Sequence, residues 1–177
     1  MIVLKRKKPE KLIWLEVAHR RVFTDTPDYL RFDEQYRRTA AGLAGEKRVD
    51  REWDEIIYEN NFHILHDICF QCSEEHTYQI DTLFICSHFL LVIEIKNIVG
   101  RIDCDERTHQ FTRTKVDGTI EGFPSAIDQV HRHARFLNTI LKNLNLPLPI
   151  ECAIVFANSN SILNNKPATT PMFHVTG

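Results

Sequence analysis

Three residues near the middle of the chain, Asp81, Glu94 and Lys96, have the types that build a charged site around a cation. Carboxylates suit hard cations, and an ammonium beside them adds a positive charge. The tripeptide Glu94-Ile95-Lys96 is too short to carry an assignment alone. It gains meaning only if the chain brings Asp81 to it. Apolar residues 80–85 and 89–95 flank Cys86-Ser87-His88 and read as two strands joined by a tight turn. A two- or four-residue loop gives one register. In it Ile85 faces Leu90, Leu83 faces Val92, Asp81 faces Glu94, and Lys96 lies opposite Gln79. Facing residues have Cβ atoms about 5 Å apart, so two carboxylates there repel unless a cation sits between them.

Side-chain alternation puts Glu94 and Lys96 on one face, and Ile93 and Ile95 on the other. The face carrying Leu83, Ile85, Leu90 and Val92 is therefore apolar until it turns polar at one end. Glu46 adds a third carboxylate, stepping by three from Leu43 and to Val49 on a helical stripe. It serves either the site or the positive end of its own helix dipole, and both readings stand. Gln129 and His133, spaced i, i+4, neighbour each other on the flank of another stripe. They are ordinary surface polar residues unless that helix crosses the site. His63, His66, His76, His88 and His131 show no usable spacing.

The elements that must position these residues read as follows. Residues 40–58 form an amphipathic helix with Leu43, Val49, Trp53, Ile56 and Ile57 on its apolar side. Strands follow at 62–70, 80–85 and 89–95. Gly100 and residues 111–123, turning at Asp117-Gly118, suggest a smaller peripheral hairpin. A second helix places Pro124 in its first turn, carries Ile127, Val130, Ala134, Leu137, Leu141 and Leu144, and stops before Pro147 and Pro149. Residues 153–156 close the pattern as a buried strand. The predicted order is α-β-β-β-α-β. Residues 1–38 resist assignment and are set apart as an N-terminal extension, with one domain over 39–177.

The chain has 177 residues, 43% of them hydrophobic, enough for one domain with a real core. Its 22 Lys and Arg against 24 Asp and Glu exclude a wholesale polyanion binder, so any nucleic-acid contact is local. Five cysteines, an odd number without even spacing, point to reduced thiols and a cytoplasmic protein. Cys69 and Cys72 form a CxxC, but no second pair completes a zinc ribbon, and two half-buried thiols are the simpler reading. No apolar run is long enough for a membrane span or a signal peptide. The basic run Lys5-Arg6-Lys7-Lys8 reads as a solvated turn.

Taken together, Gly45-Glu46, Gln79-Ile80-Asp81, the stretch Val92-Ile93-Glu94-Ile95-Lys96-Asn97 with Gly100, and Pro124 with Gln129 and His133 fall in a recognisable order. Residues 40–157 resemble the nuclease-related domain family of the PD-(D/E)xK nuclease superfamily. The resemblance implies a restriction-endonuclease-like α/β core, a mixed sheet flanked by helices. It also implies metal-dependent hydrolysis of nucleic acid, with DNA the expected polymer. Asp81 and Glu94 would hold Mg2+, or Mn2+ in its place, with the carbonyl of Ile95 and Glu46 completing the shell. Lys96 would orient or deprotonate the attacking water, and Gln129 and His133 would bind the nucleic-acid backbone. Two other classes fit the same residues: a nucleic-acid-binding module without activity, and a protein-interaction domain.

Overall fold

The computed structural model describes residues 1–175 apart from 25, 57–60, 72–76, 106 and 166. Strand β1 (Ile2–Leu4) leads into helices α1 (Glu10–Arg21) and α2 (Pro27–Glu52), then strands β2 (Phe62–Gln71), β3 (Thr77–Cys86) and β4 (Leu90–Lys96). Next come β5 (Gly100–Asp105), β6 (Gln110–Thr114), β7 (Ile120–Phe123) and helix α3 (Ala126–Asn143). Strands β8 (Ile150–Phe156), β9 (Ser161–Asn165) and β10 (Met172–His174) complete the order. The predicted α-β-β-β-α-β is present as α2-β2-β3-β4-α3-β8, in a mixed α/β fold.

Six strands form the main sheet in the order β1-β2-β3-β4-β8-β10, and β7-β6-β5-β9 form a second sheet. Strands β2, β3 and β4 are antiparallel neighbours, whereas β8 lies parallel to β4 and β10 parallel to β8. The predicted hairpin, β6 and β7, is thus part of a four-stranded sheet.

Each face of the main sheet is covered by one helix. On one side Val49 of α2 packs with Ile93, Ile95, Ala153 and Ala157. On the other, Ile127, Val130, Leu137 and Leu141 of α3 pack with Leu83, Leu90, Val92, Ile154 and Phe156. Val92, Val130, Ile154 and Phe156 are fully buried, and each such side chain stabilises the fold by roughly 1.5–3 kcal/mol. The stripe of α3 ends at Leu144, its exposed C-cap.

Three boundaries differ from the sequence reading. Helix α2 starts at Pro27, not residue 40, because Thr26 caps it by accepting from the Tyr29 N–H and Pro27 suits the first turn. Its N-terminal half packs against α1, where His19 lies between the rings of Tyr29 and Tyr36. The α-helix ends at Glu52, and a 3-10 turn, Trp53–Glu55, leads to an extended, largely exposed Ile56. Ile57 and Tyr58 lie outside the described residues. Pro124 is not in the first turn of α3: Ser125 is the cap, its hydroxyl accepting from the Asp128 N–H, and Pro124 precedes it. No described helix is long and apolar enough to cross a membrane. Cys69 is exposed and not half-buried, Cys86 and Cys104 are buried and Cys152 is intermediate; Cys72 lies outside the described residues.

Candidate metal and phosphate site

The hairpin that positions the acids has the expected register over its apolar part: Ile85 pairs with Leu90, and Leu83 with Val92. Its turn is closed by a hydrogen bond from the Cys86 N–H to the Phe89 carbonyl. The ladder then stops at Thr82 and Ile93, so the expected pairs Asp81–Glu94 and Gln79–Lys96 are not formed. Alternation breaks at this point. Ile80 and Leu83, three residues apart, both pack into the α3-side core, while Thr82 faces the other way. Across the ladder, Asp67 in β2 is left-handed (φ 52°), and pairing skips from His66–Thr82 to Ile68–Ile80. Irregularities of this kind re-aim a side chain beside a site. Asp81 sits at the break, and its Oδ2 accepts the Ile95 N–H at 2.7 Å.

Asp81 and Glu94 nonetheless line one polar cleft of about 380 Å³, with Glu46, Thr77, Gln79, Gln129, Arg132 and His133. Five of the six candidate side chains form its wall, and the sixth, Lys96, reaches two of them. The Lys96 Nζ donates to Glu94 Oε1 at 2.6 Å and to Gln129 Oε1 at 2.7 Å. Helix α3 therefore crosses the cleft, with Gln129 and His133 on its wall. Glu46 lies on the wall as well, brought there by the close approach of α2 to the end of β4. A Cβ on Gly45 would stand 2.5 Å from that of Asn97 and 3.2 Å from that of Ala157, so only glycine fits.

The electrostatics follow from burial. Loss of solvent, reinforced by the charge of Glu94, pushes the Asp81 carboxyl up to about 8 against the bond from Ile95. Burial also raises Glu46, with Arg6 opposing. His133 is only 3% exposed, and burial with the charges of Arg132 and Lys96 pushes it down to about 4, so it is neutral at pH 7. Its Nδ1 is buried without a partner.

Arg6 was not legible in the sequence. The expected solvent exposure holds for Lys5, Lys7 and Lys8, which lie in irregular chain and not in a turn, but not for Arg6, whose side chain is 3% exposed. It pairs with Glu46 at 3.0 Å and Asp50 at 2.8 Å and donates to the Asp81 carbonyl at 2.8 Å. Behind it lies His66, whose Nδ1 is 3.2 Å from Asp50 and 3.1 Å from Thr82. Arg132, exposed at the cleft, was also missed. Its signal was available, since it sits between His131 and His133 on the helix already placed there.

A buried glutamate, a half-buried aspartate, a lysine bonded to the glutamate and a neutral imidazole thus surround one polar cleft. The nuclease-related domain family matches residues 41–157, and the chain belongs to that family. The matched segment contains the acids, the lysine, Gln129 and His133. No curated protein and no solved structure gives a significant match.

Proposed function

We propose that this protein is a metal-dependent nuclease hydrolysing phosphodiester bonds, with DNA as the first substrate to test. The observation that carries the reading is the contact of Lys96 with Glu94 in a cleft where burial and the same Glu94 hold Asp81 near 8. A catalytic cleft gains from such strain, because a bound cation removes it.

The donor set fits Mg2+. Asp81, Glu94 and Glu46 offer carboxylate oxygens on one wall, and the main-chain carbonyl of Ile95 would be a further oxygen. Among the described residues no three His, Cys, Asp or Glu side chains cluster as a self-sufficient metal site. Glu46 therefore does not complete the expected shell with Asp81 and Glu94, and Mg2+ held by those two acids would keep water and substrate oxygens. When bound, the ion supplies positive charge to the phosphate and acidifies a water. Lys96 orients the attacking water and offsets charge on the phosphate. Gln129 holds Lys96 from the far side. Arg132 offers a phosphate contact at the mouth, and neutral His133 lines the wall behind it.

The test is cleavage of labelled single- and double-stranded DNA and RNA with Mg2+. Lys96→Ala is expected to fold and to lose at least about 100-fold in rate, the scale for removing one electrostatic stabiliser. Cleavage at the wild-type rate by that variant refutes the assignment. A non-catalytic nucleic-acid-binding module is the second reading, favoured by the Lys96–Glu94 bond, which already neutralises one acid. Calorimetry with Mg2+ or Mn2+ on wild type and Asp81→Asn separates the two, since the module gives no metal heat in either.

A further inference from the structure

We propose that Arg6 is a positioning residue of this site, supplied from outside the family-matched segment, which fixes Glu46 and the main chain at Asp81 for metal and phosphate binding. The inference rests on the nuclease reading for its purpose, and on geometry alone for its mechanism.

The guanidinium uses its whole fork. Nε donates to Asp50 Oδ2 at 2.8 Å and Nη1 to Glu46 Oε2 at 3.0 Å. Nη2 reaches Asp50 Oδ1 at 3.2 Å, the Asp81 carbonyl at 2.8 Å and Thr82 Oγ1 at 3.4 Å. A purely structural arginine would be satisfied by the two-pronged pair with Asp50. The remaining donors go to the carboxylate on the cleft wall and to the carbonyl where β3 breaks its alternation. Asp81 has no cross-strand pair on either side.

Arg6 does not line the cleft and its side chain is 3% exposed, so it acts through its neighbours and does not touch a substrate. Its own position is secured from the chain start. The Met1 amino group donates to the Phe62 carbonyl at 2.9 Å, the Ile64 N–H donates to the Met1 carbonyl, and β1 runs parallel to β2. The first strand thus delivers Arg6 two residues later between α2 and β3. A lysine carries the charge but not the fork, so it can replace part of this arrangement and not all.

The experiment compares full-length wild type, Arg6→Lys and Arg6→Met by amide hydrogen exchange and by calorimetric titration with Mn2+. The Ile95 amide, which donates to Asp81, reports directly on the strand break. In Arg6→Met it should exchange at least about tenfold faster, beyond any change common to Val92 and Ile154 in the core, with Arg6→Lys between the two. Mn2+ affinity should fall about 10- to 100-fold in Arg6→Met, as for the loss of a group that orients a ligand. An Ile95 amide that keeps its wild-type rate, or accelerates only in step with the core amides, overturns the proposal. Wild type that takes up no Mn2+ overturns the nuclease reading instead, and the exchange comparison still decides the role of Arg6.

Discussion

Replacing Asp81 by Asn should make the metal-free protein more stable at pH 7 while removing its metal binding. The folded carboxyl titrates at about 8 against an ordinary 3.8, so folding at pH 7 must bind a proton that the unfolded chain has released. At about 1.36 kcal/mol per pH unit, the gap from 3.8 to 7 sets a ceiling of about 4 kcal/mol. Asp81 is half-buried at the wall of an open cleft, and water there reduces the cost to about 2 kcal/mol. The sign is fixed by linkage. A carboxyl raised in the fold costs nothing below about pH 4, costs progressively more as pH rises, and reaches its full penalty above about 8. Asparagine carries no such charge and still offers an oxygen to the Ile95 N–H. For a chain of this length about 2 kcal/mol corresponds to a rise in Tm of roughly 4–8 °C. The assay is thermal melting in chelator between pH 4 and pH 8.5. The advantage of Asp81→Asn should vanish near pH 4 and grow toward pH 8. An advantage independent of pH, or a variant less stable at pH 7, would refute the reasoning.

Two further outcomes follow from the same geometry. Gly45→Ala should cost about 1–3 kcal/mol in denaturant unfolding, because its methyl group meets Asn97 at 2.5 Å and α2 must move off the sheet; a change below about 0.5 kcal/mol would mean the helix yields freely. His133, held down to about 4 by burial and by Arg132 and Lys96, should stay neutral in an NMR titration until near that pH. Because its folded value lies below the ordinary 6.5, its stabilising effect is complete above 6.5 and lost as pH falls toward 4, and a midpoint at 6 or higher would contradict the burial argument.

The central elements were legible because their periods are strong. The stripe of α3 and the runs of β3 and β4 give helix, hairpin and register, and with them the company of Asp81, Glu94, Lys96, Gln129 and His133. What the sequence does not carry is the broken alternation at Asp81. It lies opposite a left-handed Asp67 on the neighbouring strand, which no local pattern marks. The N-terminal region failed for a different reason. Ile13, Trp14 and Val17 of α1 are exposed while Leu12 and Leu15 are buried, so no stripe stands out. Arg6 lies in a run of four cations, and only a tertiary partner distinguishes one of them. Strands β9 and β10 are short, and three of the five residues of β9 are asparagine or serine, poor strand formers chosen by pairing and not by propensity.

The contact at Gly45 also determines how α2 can transmit motion. The helix is a rod about 39 Å long, pressed onto the sheet near two-thirds of its length, with an arm of about 27 Å toward Pro27 and one of about 10 Å toward Glu52. Glu46 is one residue from that fulcrum, so tilting the rod from its far end scarcely shifts the carboxylate. A swing that carries Leu30 several ångströms leaves the acid almost where it was. Only sliding along the axis or rolling about it would move the acid, and the wedge of Asn97 and Ala157 against the bare glycine obstructs both.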